Sequence, residues 1–278
     1  MTGQDGAGRG DVVLVERVGN VAWVTLNRPD SLNAMDAQLM DDLRSALIEL
    51  AEDSSVRCVG LRGAGRAFCA GGDQRLMSER REIAEKAPST GALMDDLHRG
   101  LVRRSESSTL LASMRKPTVA VLQGHVIGGG LSLALACDFR LAGEGARLRV
   151  GFLSNALSGD FGISYLLESL LGTARAKEML MLDPTLDAAT ALEWGLVGEV
   201  HPDETLQAAG EEFAARLGNG PTIALGRMKA NILACRMLPM TAAIEFEALN
   251  QRVAAATADA AEAGKAFGER RQPNFIGR

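Results

Sequence analysis

Aromatic side chains, blocks of like charge and long apolar runs are all scarce in this 278-residue sequence. Aromatics make up 4% of the residues, so the stacking platforms interleaved with Lys and Arg that bind single-stranded nucleic acids are missing. The formal net charge is -5, and both signs are scattered along the chain. We therefore expect no nucleic-acid partner. A mildly acidic chain can still bind a phosphorylated ligand through backbone N–H groups and a few local cations.

No run of eighteen apolar residues occurs, and the polar, Gly-rich start MTGQDGAGRGD contains no apolar segment typical of a secretion signal. The cysteines are irregularly spaced, with no CxxC pair and no His cluster at metal-ligand spacing. They are Cys58, Cys69, Cys137 and Cys235. We interpret them as reduced, buried thiols, and we expect a cytoplasmic protein with no metal site and no membrane association.

The front of the chain carries readable local signals. Residues 1–10 are predicted to be a disordered tail. Apolar runs from Val12 to Val18 and from Val21 to Leu26, separated by Gly-Asn, predict a β-hairpin. Apolar residues at helical spacing after Asp36 predict a helix that this aspartate caps.

The pattern of an apolar strand, a Gly-rich turn and a helix then occurs twice, after Val56–Leu61 and after Thr118–Leu122. This repetition predicts an α/β core of stacked units over residues 11–200. Charged residues 75–116 predict a loop followed by a helix. Residues 201–278 are predicted to form a C-terminal helical region, ending in one helix over Ala242–Phe267, which packs on the core or reaches a neighbouring subunit.

The two Gly-rich turns, residues 70–73 (AGGD) and 128–130 (GGG), are the first candidates for a functional site. Glycine permits positive φ and lets a ligand approach the backbone, and a helix N-terminus offers unpaired N–H donors. Two such turns that converge would hold one oxygen. The alternative is that each is only a tight turn or a helix-packing site. GAGRAF also suggests a dinucleotide-binding loop, but Phe68 stands where that fingerprint needs a third glycine or alanine.

Five segments, in order, are similar to the enoyl-CoA hydratase/isomerase (crotonase) superfamily. They are LNRPDSLNAM, GAGRAFCAGGD, KPTVAVLQGHVIGGGLSLALACDFRLA, EWGLVGEVHPD and AFGERRQPNF, and they extend over nearly the whole chain from Val12. The resemblance implies an α/β fold, a spiral of ββα units with a C-terminal helical region, that assembles as homotrimers or homohexamers. It also implies an acyl-CoA thioester substrate and no cofactor beyond that coenzyme A.

By the same resemblance, the backbone amides of Gly72 and Gly129 correspond to the donors of the family's oxyanion hole. Chemistry beside a thioester places negative charge on the carbonyl oxygen, and fixed N–H groups stabilise that charge. Further residues correspond to coenzyme A contacts or to the entrance of the site. They are Ser31, Leu32, Ala34, Ala70, Asp73, Gln74 and Arg75, together with Phe267 and Arg271 near the C-terminus.

The two glutamates that family hydratases use to add water are absent. Ser132 and Phe152 stand at their positions, and we expect both to face the acyl group. Asp160 resembles the active-site aspartate of dienoyl-CoA isomerases and of the aryl-CoA dehalogenase branch. An apolar pocket would raise its pKa toward working pH. The alternative is that Asp160 caps the following helix. His125 is expected to be packed and hydrogen-bonded.

The leading hypothesis is enoyl-CoA double-bond isomerisation, with the thioester held at the two glycine amides and Asp160 as the proton shuttle. A single base that takes and returns a proton suffices for this reaction, whereas hydration normally uses two groups. The alternatives are an enoyl-CoA hydratase with an atypical mechanism, an acyl-CoA binding protein without catalysis, and a nucleotide-dependent oxidoreductase.

Overall fold

The structure is a computed structural model that describes residues 11–73 and 91–278. Within the second range, nothing is described of the side chains at positions 92 and 93. The predicted tail, the expected loop after residue 75, and the predicted contacts Gln74 and Arg75 therefore lie outside the described residues.

The larger sheet holds six strands, and its middle is fully buried. In spatial order they are β1 (Val13–Val18), β2 (Val21–Leu26), β3 (Cys58–Gly63), β4 (Thr118–Leu122), β6 (Phe139–Gly143) and β9 (Glu199–His201). β1 and β2 form the predicted antiparallel hairpin, turning at Gly19 with φ of 58°. The other neighbours are parallel. All five residues of β4 are buried, as is usual for a strand covered on both faces.

A second, smaller sheet comprises β5 (His125–Ile127), β7 (Arg147–Arg149) and β8 (Leu186–Asp187). Strands from the two sheets alternate along the chain: β4 is followed by β5, and β6 is followed by β7. Each pair leads on toward a helix, so successive ββα units stack on one another. This repeated unit confirms the predicted α/β spiral.

Nine helices occur in the described residues. They are α1 (Ala37–Glu52), α2 (Gly91–Ser113), α3 (Gly129–Ala136), α4 (Ile163–Leu182), α5 (Ala188–Glu193), α6 (Leu206–Gly218), α7 (Thr222–Cys235), α8 (Met240–Ala255) and α9 (Ala258–Glu269). Asp36 caps α1 as predicted, because its side chain accepts a hydrogen bond of 2.8 Å from Leu39 N. The prediction of a single helix over 242–267 is wrong, because two helices occupy this range. Thr257 adopts an extended conformation after α8, and its hydroxyl caps α9 by accepting from Ala260 N.

The C-terminal helices attach to the core in two ways. α6 packs on the larger sheet, where its Leu206 and Ala214 join a buried cluster with Trp23 and Val121. α7 is joined to the core by the buried ammonium of Lys229. Its Nζ donates to Leu111 O at 2.7 Å and to Asp138 Oδ2 at 2.8 Å. α8, by contrast, presents apolar side chains to solvent: Met240, Ile244 and Leu249. Of the described helices, none combines the length and apolarity needed to cross a bilayer.

Candidate active site

A cavity of about 100 Å³ lies where the first Gly-rich turn, the start of α3 and the loop before α4 meet. Its described lining is mostly apolar and holds three carboxylates. The lining residues are Met35, Asp36, Ala37, Met40, Gly72, Asp73, Leu101, Gly129, Phe152, Asp160 and Phe161. The fold thus brings together the two glycines and the aspartate that the sequence singled out for catalysis.

The two Gly-rich turns are in direct backbone contact. Gly71 and Gly128 have φ of 87° and 60°, in the region that side chains rarely adopt. A β-carbon on Gly128 would lie 3.5 Å from the Gly71 Cα, and one on Gly71 would lie 3.1 Å from Ile127 O. Glycine therefore serves here both for conformation and for close approach. The neighbours Gly72 and Gly129 are held side by side at the cavity.

The amides of Gly72 and Gly129 are both available to a ligand. Met35 N donates to Gly71 O at 2.7 Å, and Asp73 N donates to Met35 O at 3.2 Å. In such a parallel bridge the intervening N–H, that of Gly72, points away from Met35. Gly129 is the first residue of α3, so its N–H has no acceptor within the helix and lies at the positive end of the helix dipole. In the described chain neither N–H donates to a backbone carbonyl.

Asp160 is held in a strained loop beside these amides. Gly159, Phe161 and Gly162 all have positive φ, and the 51° of Phe161 is a conformation that few bulky residues adopt. Asp160 Oδ1 is buried without a hydrogen-bond partner among the described residues. The capping alternative is wrong, since no side chain caps α4 and Gly162 occupies the N-cap position.

The surroundings of Asp160 suit a group that exchanges protons near neutral pH. Burial among apolar side chains disfavours the ionised form and raises the pKa of the carboxyl group from 3.8 to about 6. A carboxyl group with this pKa has both its protonated and its ionised form accessible near pH 6, as a group that exchanges protons requires.

The two positions of the missing glutamates differ in their surroundings. Phe152 is buried and lines the cavity together with Asp160. Ser132 is fully buried, and it is absent from the cavity lining. Its hydroxyl lies 3.3 Å from Gly128 O and 3.3 Å from Asp160 O, so it contacts the backbone of the site rather than the space for an acyl group.

The segments predicted to contact coenzyme A lie next to one another. Leu32 O accepts a hydrogen bond of 3.0 Å from Ala70 N, which joins the first loop to the Gly-rich turn. Ser31 Oγ donates to Arg28 O at 3.1 Å, and Ala34 N donates to Ser31 O at 3.0 Å. All four predicted positions in these segments are half-buried.

Asn33 is a site residue that sequence reasoning missed. It is fully buried, and its Nδ2 lies 2.9 Å from Ala64 O, 2.8 Å from Ala67 O and 3.2 Å from Phe68 O. Its φ of 56° lies in the left-handed region, which asparagine tolerates better than most residues. An Asn between two apolar residues in a loop was the available signal. Asn33 holds the first loop against the segment that carries Gly72.

A second missed feature is the charge cluster at the cavity rim. Arg28 Nη2 lies 3.3 Å from Asp36 Oδ2 and 3.2 Å from Asp73 Oδ2, and these side chains are largely buried. One guanidinium thus forms ion pairs with two carboxylates. Asp36 additionally caps α1. Asp160 therefore differs from the other two carboxylates of the cavity, because its Oδ1 is unpartnered.

Two predicted coenzyme A contacts lie away from this cavity. Phe267, on α9, is 88% exposed. Arg271 follows α9 and pairs with Glu262 and Glu269 on the same helix. The cavity of the same chain includes neither residue.

Two smaller predictions and one alternative are wrong. His125 was expected to be packed, but it is exposed, because the side chain of this first residue of β5 faces outward. Cys235 was expected to be buried, but it is exposed near the end of α7.

The alternative of a dinucleotide-binding loop fails because such a loop needs a helix directly after its glycines. Residues 64–73 instead form a turn and isolated bridges. Within the described ranges, no group of three or more His, Cys, Asp or Glu side chains could hold a metal ion.

Comparison with known proteins gives a consistent result. The family model described as enoyl-CoA hydratase/isomerase matches residues 16–278. A 1,2-epoxyphenylacetyl-CoA isomerase of Escherichia coli is 34% identical over 93% of this chain and 95% of its own length. An (E)-benzylidenesuccinyl-CoA hydratase of Thauera aromatica is 29% identical over 95% and 99%. The crystal structure of an enoyl-CoA hydratase from Bacillus anthracis matches with a TM-score of 0.86 and 28% identity, covering 96% of this chain and 100% of that one. With its ββα spiral and its paired glycine turns, the chain belongs to the enoyl-CoA hydratase/isomerase family of the crotonase superfamily.

Proposed function

We propose that this chain is an enoyl-CoA isomerase that moves a carbon–carbon double bond along the acyl group of a coenzyme A thioester. The proposal rests mainly on Asp160: one oxygen of its carboxylate has no hydrogen-bond partner among the described residues, and it shares a small apolar cavity with the amides of Gly72 and Gly129. The relatives include both isomerases and hydratases by name, so the choice between these reactions depends on the side chains of this cavity.

In the proposed reaction, Asp160 removes a proton from carbon 2 of a 3-enoyl-CoA. The electron pair moves toward the thioester, and the resulting dienolate oxygen accepts hydrogen bonds from the Gly72 and Gly129 amides. Asp160 then returns the proton to carbon 4, which leaves a 2-enoyl-CoA. No water is consumed, and the base ends in its starting ionisation state. Removing one fixed donor of this kind typically costs about 3 kcal/mol of transition-state stabilisation.

Hydration is the weaker candidate for a physical reason. It needs a group that activates water and a group that supplies a proton. Phe152 can do neither, and Asp36 and Asp73 are both engaged with Arg28. Asp160 would have to perform both tasks.

The coenzyme A moiety is proposed to lie along the backbone of Ser31, Leu32, Ala34 and Ala70, with Asp73, Gln74 and Arg75 at the entrance. No separate cofactor is needed for a proton shift. We further propose that the chain acts in the cytoplasm as a homotrimer or homohexamer. The exposed apolar residues Met240, Ile244 and Leu249 of α8 support assembly, since such surface is usually covered in an oligomer. Phe267 and Arg271 would then contact the coenzyme A bound to a neighbouring copy.

The test is turnover of a panel of 2-enoyl- and 3-enoyl-CoAs by the unmodified protein and by Asp160→Asn, followed by NMR to identify products. We expect 3-enoyl-CoAs to give 2-enoyl-CoAs and the variant to lose at least about 100-fold in kcat. Asp36→Asn is the matched control, since it removes another cavity carboxylate while asparagine keeps the helix cap. It should retain most of the turnover.

Three results would argue against the proposal. Equal turnover by Asp160→Asn would remove Asp160 from the mechanism. A 3-hydroxyacyl-CoA as the main product would favour the hydratase. Thermal stabilisation by acyl-CoA with no turnover of any enoyl-CoA would favour a binding protein.

A further inference from the structure

We infer that Met35 is a positioning residue that sets the spacing between the two amides of the oxyanion hole. The inference deepens the proposed function, on which it rests, by identifying what holds the Gly72 and Gly129 donors in register. Met35 belongs to the loop before α1, and it is in contact with both donor turns.

Its main chain fixes the first donor. Met35 N and O form hydrogen bonds to Gly71 O and Asp73 N, at 2.7 and 3.2 Å, on either side of Gly72. This isolated bridge determines the direction of the Gly72 N–H, because successive amides of an extended segment point to opposite sides. A shift of Met35 therefore moves the Gly72 amide with it.

Its side chain contacts the second donor. Met35 is 5% exposed, and a β-carbon on Gly129 would lie 2.9 Å from its Sδ and 3.3 Å from its Cε. Phe161 Cδ2 lies 3.6 Å from the same point. The thioether thus packs directly on the first residue of α3, while the main chain of the same residue holds the Gly72 turn.

The loop that carries Met35 is itself rigidly held. Leu32 and Asn33 both adopt left-handed conformations, and the buried amide of Asn33 binds three carbonyls of residues 64–68. Directly after Met35, Asp36 caps α1. Met35 is therefore anchored on both sides along the chain, so its side chain can act as a fixed spacer.

Removing the thioether would leave a void beside Gly129, into which the start of α3 or the Gly72 turn can relax. A misplacement of about 1 Å in a catalytic arrangement can cost roughly 100-fold in rate. We expect Met35→Ala to lower kcat by about 10- to 100-fold, with a smaller change in KM. Met35→Leu, which conserves volume, should stay within a few-fold of the unmodified protein.

A spectroscopic measurement separates positioning from ordinary packing. The carbonyl stretching frequency of a bound, non-reactive acyl-CoA labelled with ¹³C at the thioester reports how strongly the two amides polarise the carbonyl group. We expect a red shift in the unmodified protein and in Met35→Leu, and a smaller red shift in Met35→Ala. Met40→Ala is the matched control: it truncates another methionine of the cavity, one that is not among the nearest neighbours of a β-carbon placed on Gly71, Gly128 or Gly129, so KM should change while the red shift stays.

A second experiment tests the contact between the Met35 thioether and Gly129 directly. Gly129→Ala places a methyl group against the thioether and should lower kcat. Combined with Met35→Ala, the same methyl group refills the void, so the double variant should retain more activity than the product of the two single effects predicts. If Met35→Ala does not fold, Met35→Val supplies the truncation, because it removes Sδ and Cε and keeps a branched stem.

The inference is overturned if Met35→Ala, or Met35→Val in its place, keeps the full red shift or changes only KM. It is also overturned if the two substitutions are simply additive in kcat. Its failure is distinguishable from failure of the proposed function. The frequency shift requires only a bound thioester, whereas the isomerase proposal fails when Asp160→Asn turns over enoyl-CoAs normally.

Discussion

Gly128 packs directly on Gly71: a β-carbon added to Gly128 would lie 3.5 Å from the Gly71 Cα. These residues belong to separate turns that are far apart in the sequence, and both have positive φ. Their contact places the following residues, Gly72 and Gly129, at one cavity together with Asp160. The convergence of the two glycine amides, which we propose as an oxyanion hole, is thus a geometric consequence of how two ββα units stack.

Substituting Gly128 by alanine should reduce activity more than it reduces stability. Its φ of 60° and ψ of −128° form a conformation that is nearly restricted to glycine, so strain of about 1–3 kcal/mol is expected. The β-carbon itself would be in ordinary contact with Gly71, at 3.5 Å. Relief of the backbone strain would instead shift the start of α3 and displace the Gly129 amide, lowering kcat/KM by about 100-fold or more. Urea unfolding and isomerase assays measure the two effects.

Gly19→Ala is the control for that substitution. Gly19 has nearly the same φ, 58°, but a β-carbon there would meet nothing within 4 Å. We expect a loss of stability from the positive φ and unchanged turnover. Equal loss of turnover in both variants would mean that destabilisation of the fold, rather than displacement of the Gly129 amide, explains the result.

The pH dependence of turnover should report the ionisation of Asp160. Burial raises the pKa of its carboxyl group to about 6, and the proposed base must be ionised in the free protein. We therefore expect kcat/KM to fall as the pH drops through about 6 and to level off above about 7. A profile that stays flat from pH 5 to pH 8 would exclude Asp160 as the base.

Asp160→Asn should stabilise the fold at alkaline but not at acidic pH. Because the folded state raises the pKa of Asp160 above its unfolded value of 3.8, the native protein binds the extra proton between about pH 4 and pH 6 and loses stability as the pH rises through that window. At pH 8 the buried charge costs at most about 3 kcal/mol, which asparagine avoids. Thermal unfolding at pH 4 and pH 8 tests this. An equal Tm difference at both values would contradict the buried charge.

Asn33→Asp should weaken the framework of the site. The substitution keeps the shape and tolerance for positive φ, but it replaces the amide donor that binds Ala64 O, Ala67 O and Phe68 O with an oxygen. A buried carbonyl group left without a donor costs about 1–3 kcal/mol. We therefore expect the free energy of unfolding to fall by roughly 3 kcal/mol and acyl-CoA binding to weaken. Asn219→Asp is the control, because Asn219 is exposed, and it should change the free energy of unfolding by less than about 0.5 kcal/mol. Similar effects of the two variants would contradict the role given to Asn33.

Local signals in the sequence predicted local structure well. The hairpin around Gly19, the cap at Asp36 and the two Gly-rich turns depend on the conformational preferences of a few neighbouring residues. The split after α8 was missed because the Ala-rich composition continues through it, and only the single side chain of Thr257 ends one helix and begins the next.

Long-range relationships could not be predicted in this way. The contact between the Ser132 hydroxyl and the backbone of Asp160 depends on where α3 and the loop before α4 meet. The hydrogen bonds from Asn33 to three carbonyl groups and the contact between Met35 and Gly129 likewise depend on how distant segments of the chain meet in the fold. The unpartnered state of Asp160 Oδ1, which carries the functional proposal, also follows only from the packed fold.

The most direct test of the account is a structure with a non-reactive enoyl-CoA analogue bound. We expect the thioester oxygen to lie about 2.7–3.1 Å from both the Gly72 and the Gly129 nitrogen, with Asp160 Oδ1 facing carbons 2 and 4 of the acyl group. A thioester oxygen that contacts neither amide, or an Asp160 carboxylate directed away from the acyl chain, would contradict it.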